Sequence, residues 1–172
     1  MGKRSNFTRR PQDDYPTPRE ALLPLLPFLS KRRLIVEPCP GEGELVKHLE
    51  ASGFWVEAAA GDARRDVYPF GPFTFSFVTN PPWTSDILHP IIENLSNQAS
   101  AWLLFDADWV HCKQAIPLLP RLRAIVSVGR VKWIPGSKFT GKDNAAWHRF
   151  ERPPRAPIRF YGRKSFTTSN EV

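Results

Sequence analysis

Apolar segments that suit buried strands alternate with amphipathic segments along the first part of the chain. The strand-like segments are RRLIVEP, FWVEAAA, FTFSFVT and AWLLFDA, and the helical ones are EGELVKHLEASG and SDILHPIIENLSNQ. Strands that alternate with helices usually pair in parallel, so this order predicts an α/β fold. Two later apolar segments, AIVSVGRVKWI and NAAWHRFE, are joined by PGSKFTGKD without a helix, which predicts an antiparallel C-terminal hairpin on a mostly parallel sheet.

The chain of 172 residues has the length of one domain, which we place at residues 15–151. The segment TPREALLPLLPFL opens it, with Thr17 and Glu20 in capping-box spacing and Pro18 at the first helical position. Prolines inside this segment predict a short or kinked helix. Residues 1–14 are expected to be a flexible basic arm and residues 152–172 a basic tail.

The net charge of +7 makes a polyanionic partner plausible, although many small proteins are basic for solubility alone. The basic residues concentrate near the ends, at Lys3, Arg4, Arg9, Arg10, Arg152, Arg155, Arg159, Arg163 and Lys164.

No apolar run is long enough to cross a bilayer, and the first residues lack the apolar core of a signal peptide, so we expect a cytoplasmic protein. Cys39 and Cys112 lack the spacing of metal ligands and are expected to be free thiols.

A glycine-containing turn follows the first predicted strand. Glu37 ends that strand, and Gly41 and Gly43 precede a helix, so a ligand can approach the backbone closely. Val46 stands where a dinucleotide-binding loop would have its third glycine, and no phosphate-loop Gly-Lys-Ser/Thr is present. The shorter loop suits a ligand with a nucleoside and an amino acid; a plain strand-to-helix turn is the alternative.

Asp62, just beyond the second predicted strand, is placed to accept hydrogen bonds from ribose hydroxyls. Glu57 and Asp66 are rival candidates for this role, and a surface carboxylate without a ligand is a further alternative.

The corner Asn80-Pro81-Pro82-Trp83 follows the third predicted strand, at the carboxyl edge of the sheet. Its prolines make the backbone rigid, Asn80 adds a side-chain acceptor and donors, and Trp83 offers a flat surface for stacking. An amino group on an aromatic ring is a poor nucleophile because its lone pair is delocalised. The Asn80 oxygen and the Pro81 carbonyl are predicted to hold its hydrogens while Trp83 fixes the ring.

This corner resembles the [D/N/S]-P-P-[Y/F/W] motif of S-adenosylmethionine-dependent amino methyltransferases. Residues 37–43, EPCPGEG, match the [D/E]-P-x-x-G-x-G loop of the same enzymes. Residues 13–20, DDYPTPRE, resemble the Tyr/Phe-x-Thr-Pro segment of DNA adenine methyltransferases, and residues 131–151 resemble the C-terminal part of small phage and prophage enzymes of this kind. The resemblance implies a Rossmann-like class I methyltransferase fold with S-adenosylmethionine as cofactor and no metal.

The resemblance also implies roles for individual residues. Tyr15, Thr17 and Pro18 would border the methionine part of the cofactor, Glu37, Pro38, Gly41 and Gly43 its amino-acid and ribose side, Asp62 the ribose hydroxyls, and Asn80, Pro81, Pro82 and Trp83 the target adenine. The expected activity is methyl transfer to the exocyclic amine of adenine in DNA. RNA or a protein glutamine as substrate, or an inactive nucleic-acid-binding scaffold, remain alternatives. A target-recognition domain like that of larger members has no room here, and the oligomeric state stays open.

Several other residues are candidate substrate contacts. Asp106 and Asp108 follow the fourth strand and either contact substrate or cap the next helix. Trp109, Trp133 and Trp147 either stack on bases or belong to the core. Lys138 and Lys142, in a basic loop between the closing strands, either bind the nucleic-acid backbone or form a solvated hairpin tip.

Overall fold

A computed structural model describes residues 15–71, 74–134, 140–153 and 157–163 of the chain. The helices are α1 (Arg19–Leu22), α2 (Glu44–Ala51) and α3 (Ser85–Gln98). The strands are β1 (Leu34–Glu37), β2 (Val56–Ala58), β3 (Phe75–Thr79), β4 (Ala101–Asp106), β5 (Leu122–Arg130), β6 (Asn144–Phe150) and β7 (Arg159–Tyr161). Short 3-10 turns fill the segment between β4 and β5.

The described strands form one seven-stranded sheet in the order β2-β1-β3-β4-β6-β5-β7. Strands β2, β1, β3 and β4 are parallel neighbours. Strand β6 runs antiparallel to both β4 and β5, and β7 lies parallel to β5 at the far edge. The predicted fold, a mostly parallel α/β sheet closed by an antiparallel pair, is confirmed.

The sheet is covered on both faces, as parallel strands require. Helix α3 packs on one face with a core that includes Phe75, Phe77 and Phe105. Helices α1 and α2 pack on the other face, around Val78 and Trp147. Both faces of β3 and β4 are therefore buried, which explains the nearly continuous apolar sequence of these strands.

The start of the domain differs from the predicted capping box. Helix α1 contains only four residues, its N-cap is Pro18, and no side chain caps it. The Thr17 side chain is buried instead of capping. The predicted shortness of this helix is confirmed, and a 3-10 turn with Pro27 in its first turn follows.

The end of the domain lies further along the chain than residue 151. Strand β7 pairs with β5 through Ala124, Ile125 and Val126, so part of the predicted tail belongs to the sheet. A three-residue strand is too short to show an alternating pattern in the sequence. Residues 1–14 and 164–172, the predicted arm and the rest of the tail, lie outside the described residues. Among the helices in the described part, none is both long and apolar enough to cross a membrane.

Candidate active site

The candidate site lies at the carboxyl ends of β1 and β3, where the chain connections leave toward opposite sides of the sheet. The chain goes from β1 to β2 on one side, and β3 then pairs with the other side of β1. Ligands of open α/β sheets bind outside the carboxyl ends of two such strands, because the connections leave in opposite directions and open a crevice. Glu37 ends β1 and Asn80 follows β3, so two separate sequence motifs come to the same edge.

The glycine loop between β1 and α2 faces open space. Gly41 and Gly43 have backbone φ angles of 50° and 79°. Residues other than glycine rarely adopt such positive φ angles. The Gly43 N–H donates to the Pro40 carbonyl at 2.7 Å and closes the turn, and Gly43 is the N-cap of α2. A Cβ placed on Gly43 would have no atom within 4 Å. Pro38 is buried, whereas the space beside Gly43 is open to a ligand.

Glu37 is a buried carboxyl at the centre of this edge, with 1% of its surface exposed. Burial raises its pKa from the ordinary 4.5 to about 8, and the Thr79 hydroxyl and the Cys39 N–H oppose this only in part. The Cys39 N–H donates to Glu37 Oε1 at 2.9 Å. Burial, together with the nearby Glu37, also raises the pKa of the Cys39 thiol to about 12, so this thiol stays protonated. A cation brought to this site would favour the charged form of Glu37.

Asp62 lies in the loop after β2, and its carboxylate is bound by arginines. Oδ1 accepts from Arg64 Nε at 2.8 Å, and Oδ2 accepts from Arg64 Nη2 at 2.9 Å and lies 3.1 Å from Arg65 Nε. The hydrogen bond with Arg64 is the main cause that lowers the Asp62 pKa to about 2. Ribose hydroxyls would share this carboxylate with the two guanidinium groups.

The two rivals of Asp62 have other positions. Asp66 Oδ2 accepts from the Asp62 N–H at 2.6 Å and so shapes the loop. Glu57 lies on β2, and its side chain is exposed at the edge of the sheet.

Tyr68 is a residue of this edge that the sequence patterns did not indicate. Its hydroxyl is buried and has no hydrogen-bond partner among the described residues. Burial, together with the nearby Asp66, Cys39, Glu37 and Asp62, raises the Tyr68 pKa to about 12. An isolated aromatic in a loop carries no sequence signal, and only the fold brings it to the acidic groups. An unpaired buried hydroxyl needs an explanation, and a bound polar ligand would supply its partner.

Both the nitrogen and the oxygen of the Asn80 side-chain amide make hydrogen bonds within the protein. Its Nδ2 donates to the Tyr15 carbonyl at 3.3 Å, and its Oδ1 accepts from Trp83 Nε1 at 3.3 Å. An amide oxygen has two lone pairs, so Oδ1 retains capacity for a further donor. The Tyr15 contact places the segment Tyr15–Pro18, predicted to border the site, directly at the corner. Pro81 is buried and Pro82 is half-buried beneath it.

Trp83 is half-buried, and its ring meets Trp133 edge to face, with ring centres 5.6 Å apart and an angle of 83° between the planes. Trp133 in turn packs against Gly141, where a Cβ would lie 3.1 Å from the indole. The Gly141 N–H donates to the Val131 carbonyl at 2.7 Å. Gly141, in the predicted basic loop, is therefore held next to Trp133 and close to the Asn-Pro-Pro-Trp corner.

Of the two lysines predicted to bind the nucleic-acid backbone, the structure describes Lys142 but not Lys138. The Lys142 Nζ is shielded from solvent and has no hydrogen-bond partner among the described residues. A phosphate oxygen would be a suitable partner for this ammonium group.

Three other candidate substrate contacts, Asp106, Trp109 and Trp147, make structural contacts within the protein. Asp106 caps the turn after β4 by accepting from the Asp108 N–H at 3.0 Å, as the capping alternative predicts. Trp109 and Trp147 are 6% and 0% exposed, and both belong to the core. No three His, Cys, Asp or Glu side chains are arranged to hold a metal ion in the described parts of the chain.

Comparison with solved structures assigns the fold to a class of proteins. The chain aligns over 81% of its length, at 14% identity and a TM-score of 0.51, with the 23S rRNA methyltransferase ErmE, of which 70% is covered. It aligns over 87% of its length, at 9% identity and a TM-score of 0.52, with a Listeria monocytogenes protein assigned to the class I S-adenosylmethionine-dependent methyltransferases. The fold is thus that of class I methyltransferases.

A third similar structure is a modification subunit assigned to a type I restriction enzyme of Vibrio vulnificus. It matches 92% of this chain at 13% identity and a TM-score of 0.51. The chain spans half of that subunit and 64% of the Listeria protein. No protein-family model and no curated protein sequence matches the chain.

Proposed function

We propose that this protein is an S-adenosylmethionine-dependent N-methyltransferase that modifies the exocyclic amine of adenine in DNA. The observation that carries the proposal is the position of Asn80. Its amide lies at the carboxyl edge beside β1, held between the Tyr15 carbonyl and the Trp83 indole, next to an open glycine loop. These features come from three separate segments of the chain.

The residues at this edge fit S-adenosylmethionine. This edge combines the positive-φ glycines Gly41 and Gly43, open space at Gly43, a cluster of carboxyl groups, and the Tyr68 hydroxyl, which has no partner among the described residues. Carboxyl groups complement the positive sulfonium and ammonium of the cofactor, and hydroxyl groups suit its ribose. Glu37, Gly41, Gly43 and Tyr68 would hold it, with Asp62 contributing if Arg64 yields one carboxylate oxygen.

When bound, S-adenosylmethionine supplies a methyl group that its sulfonium already activates. The protein then has to position the amine for in-line attack. Asn80 Oδ1 accepts one amine hydrogen through its remaining lone pair, and the Pro81 carbonyl accepts the other. The nitrogen lone pair becomes available as the nitrogen pyramidalises. The new C–N bond replaces the S–C bond, whose electrons stay on sulfur, and the amine then loses a proton to water.

Trp83 and its neighbour Trp133 serve the target base in this proposal. A base in a duplex must leave the stack to reach Asn80, and an aromatic surface compensates the lost stacking. The Lys142 ammonium, which has no hydrogen-bond partner among the described residues, belongs to the loop beside that surface. Lys138 is proposed to contact the backbone from the same loop.

DNA is preferred over RNA and protein because the segments at residues 13–20 and 131–151 resemble those of DNA adenine methyltransferases. The solved neighbours include both an rRNA methyltransferase and a modification subunit of a restriction enzyme, so the fold alone suits either nucleic acid.

The test is incubation with labelled S-adenosylmethionine and separate DNA, RNA and protein substrates, comparing the wild type with Asn80→Ala. Label in the adenine of DNA that depends on Asn80 is expected. Label in RNA or protein alone would contradict the substrate assignment. Absence of cofactor binding by calorimetry would favour an inactive scaffold.

A further inference from the structure

A cavity of about 260 Å³ lies at the opposite edge of the sheet from the candidate active site. It is lined by Phe28, Leu29, Ser30, Arg33, Ile35, Ser76, Ser100, Trp102 and Arg149. Ser76 is near the start of β3 and Asn80 follows its end, so the two sites are separated by about 13 Å of extended chain. The cavity is therefore a separate site from the one proposed for methyl transfer.

The polar part of the cavity carries excess positive charge. Arg33 and Arg149 line it, and no carboxylate of the described residues does. Glu151, outside the lining, is the acidic partner of Arg149, but its other oxygen lies 3.9 Å from Arg123 Nε. Arg149 is thus paired with Glu151, whereas Arg33 has no ion-pair partner among the described residues.

Hydroxyl groups lie beside these guanidinium groups. Ser100 Oγ accepts from Arg149 Nε at 3.0 Å, which orients the guanidinium. The side chains of Arg33 and Ser76 make no hydrogen bond or ion pair with the described residues. A half-buried guanidinium and a hydroxyl that share a cavity, and have no side-chain partner among the described residues, are suited to an anion with several acceptor oxygens.

The rest of the lining is apolar and aromatic. The rings of Phe28 and Trp102 have centres 6.1 Å apart and planes tilted by 44°, and Ile35 and Leu29 also line this part. Ligand sites begin at about 300 Å³, so the cavity suits a compact molecule. A phosphate group matches the polar part of the cavity, and a small ring matches its apolar part.

We propose that this cavity binds a small organic phosphate, with the phosphate monoester held by Arg33, Arg149 and Ser76 and the organic group packed against Phe28. A phosphate is favoured over a carboxylate because its three terminal oxygens can engage two guanidinium groups and a hydroxyl at once. A free small molecule and the 5′-terminal phosphate of a nucleic-acid strand present the same group.

Calorimetric titration of the full chain with phenyl phosphate and with inorganic phosphate tests the site. We expect one saturable site that binds phenyl phosphate more tightly. Arg33→Gln is expected to weaken this binding about tenfold or more, as loss of a charge-assisted hydrogen bond predicts. Arg32→Gln is the matched control, because it removes the same charge from an exposed neighbour that does not line the cavity. It is expected to change affinity less than about twofold.

A second variant, Ser76→Val, keeps the charge and places bulk in the cavity, at a strand position that tolerates a β-branched residue. This added bulk is expected to abolish saturable binding of phenyl phosphate. Absence of saturable binding in the wild type, or equal losses in Arg33→Gln and Arg32→Gln, would overturn the proposal.

The source of the phosphate is distinguished by titrating adenosine monophosphate and a short oligonucleotide with either a 5′-phosphate or a 5′-hydroxyl. Tighter, Arg33-dependent binding of the 5′-phosphorylated strand indicates a strand end. Arg33-dependent binding of the mononucleotide, with no difference between the two strands, indicates a free small molecule. None of these outcomes depends on methyl transfer, which is measured separately.

Discussion

The indole N–H of Trp83 donates a hydrogen bond to the side-chain oxygen of Asn80, three residues earlier, at 3.3 Å. The two prolines between them fix the backbone φ angles, so the ring returns over the corner instead of pointing freely outward. The residue proposed to hold the amine and the residue proposed to hold the ring plane are thus one unit. Changing either side chain disturbs the other.

The first prediction separates the ring of Trp83 from its N–H. Trp83→Ala should lower the rate of methyl transfer about tenfold or more while cofactor affinity stays within about threefold, because the lost surface stacks on the base. Trp83→Phe keeps a ring and removes the hydrogen bond to Asn80, so an intermediate loss is expected. Single-turnover kinetics and cofactor calorimetry measure the two effects. Trp55→Ala, at a tryptophan that is 80% exposed, is the control. Parallel losses of rate and cofactor affinity would contradict this role for Trp83.

The second prediction concerns the loop that carries Trp133. In Gly141→Ala the new methyl group would lie 3.1 Å from the Trp133 ring and from the Val131 carbonyl, so the ring must shift from Trp83. We expect slower methyl transfer with unchanged cofactor affinity and little loss of stability. Gly162→Ala is the matched control, because its added Cβ would have no atom within 4 Å. If both variants had wild-type rates, Trp133 would not position Trp83.

The third prediction follows from the buried carboxyl of Glu37. Its pKa in the folded protein is about 8, above the ordinary 4.5, so the folded state holds this proton more tightly than the unfolded state. The free energy of unfolding should therefore fall as the pH rises from about 4.5 to about 8. Glu37→Gln should remove this part of the pH dependence in urea denaturation without cofactor.

Glu57→Gln, at an exposed carboxylate on the next strand, is the control for that experiment. A Glu37→Gln variant with the same slope as the wild type between these pH values would show that Glu37 does not titrate there. Cofactor binding near neutral pH should also release protons in the wild type, because a nearby positive charge favours the ionised carboxylate.

The fourth prediction concerns His148, which is fully buried and stacks on Phe105 with ring centres 4.0 Å apart. Burial lowers its pKa from 6.5 to about 3, and the nearby backbone of Ala146 and Leu103 opposes this only in part. The unfolded state therefore binds a proton more readily between these values, and stability should fall as the pH drops from about 6.5 toward 3. His148→Phe should flatten this acid slope.

Denaturation of the wild type, His148→Phe and the exposed-site control His111→Gln, measured between pH 3 and 7, tests that prediction. The control should keep the wild-type slope. An unchanged slope in His148→Phe would assign the acid dependence to other groups.

Much of the fold follows from local patterns. Strands β1, β3 and β4 are short apolar runs, and α2 and α3 have helical spacing, so each could be located before any contact was known. The segment CKQAIPLLPRL after β4 predicts a weaker, proline-interrupted helix, but it forms 3-10 turns, because its prolines cannot continue an α-helix. Strand β7 was missed because three residues do not define a period.

By itself, the sequence determined the two motifs of the candidate site, the glycine loop and the Asn-Pro-Pro-Trp corner. Both depend on backbone preferences of glycine and proline within a few residues, so local chemistry specifies them. The tertiary structure decided their neighbours. Tyr15 reaches Asn80 across 65 positions, and Tyr68 joins Glu37 through a loop without a pattern. Such contacts depend on which strands lie side by side, and packing of the whole sheet sets that order.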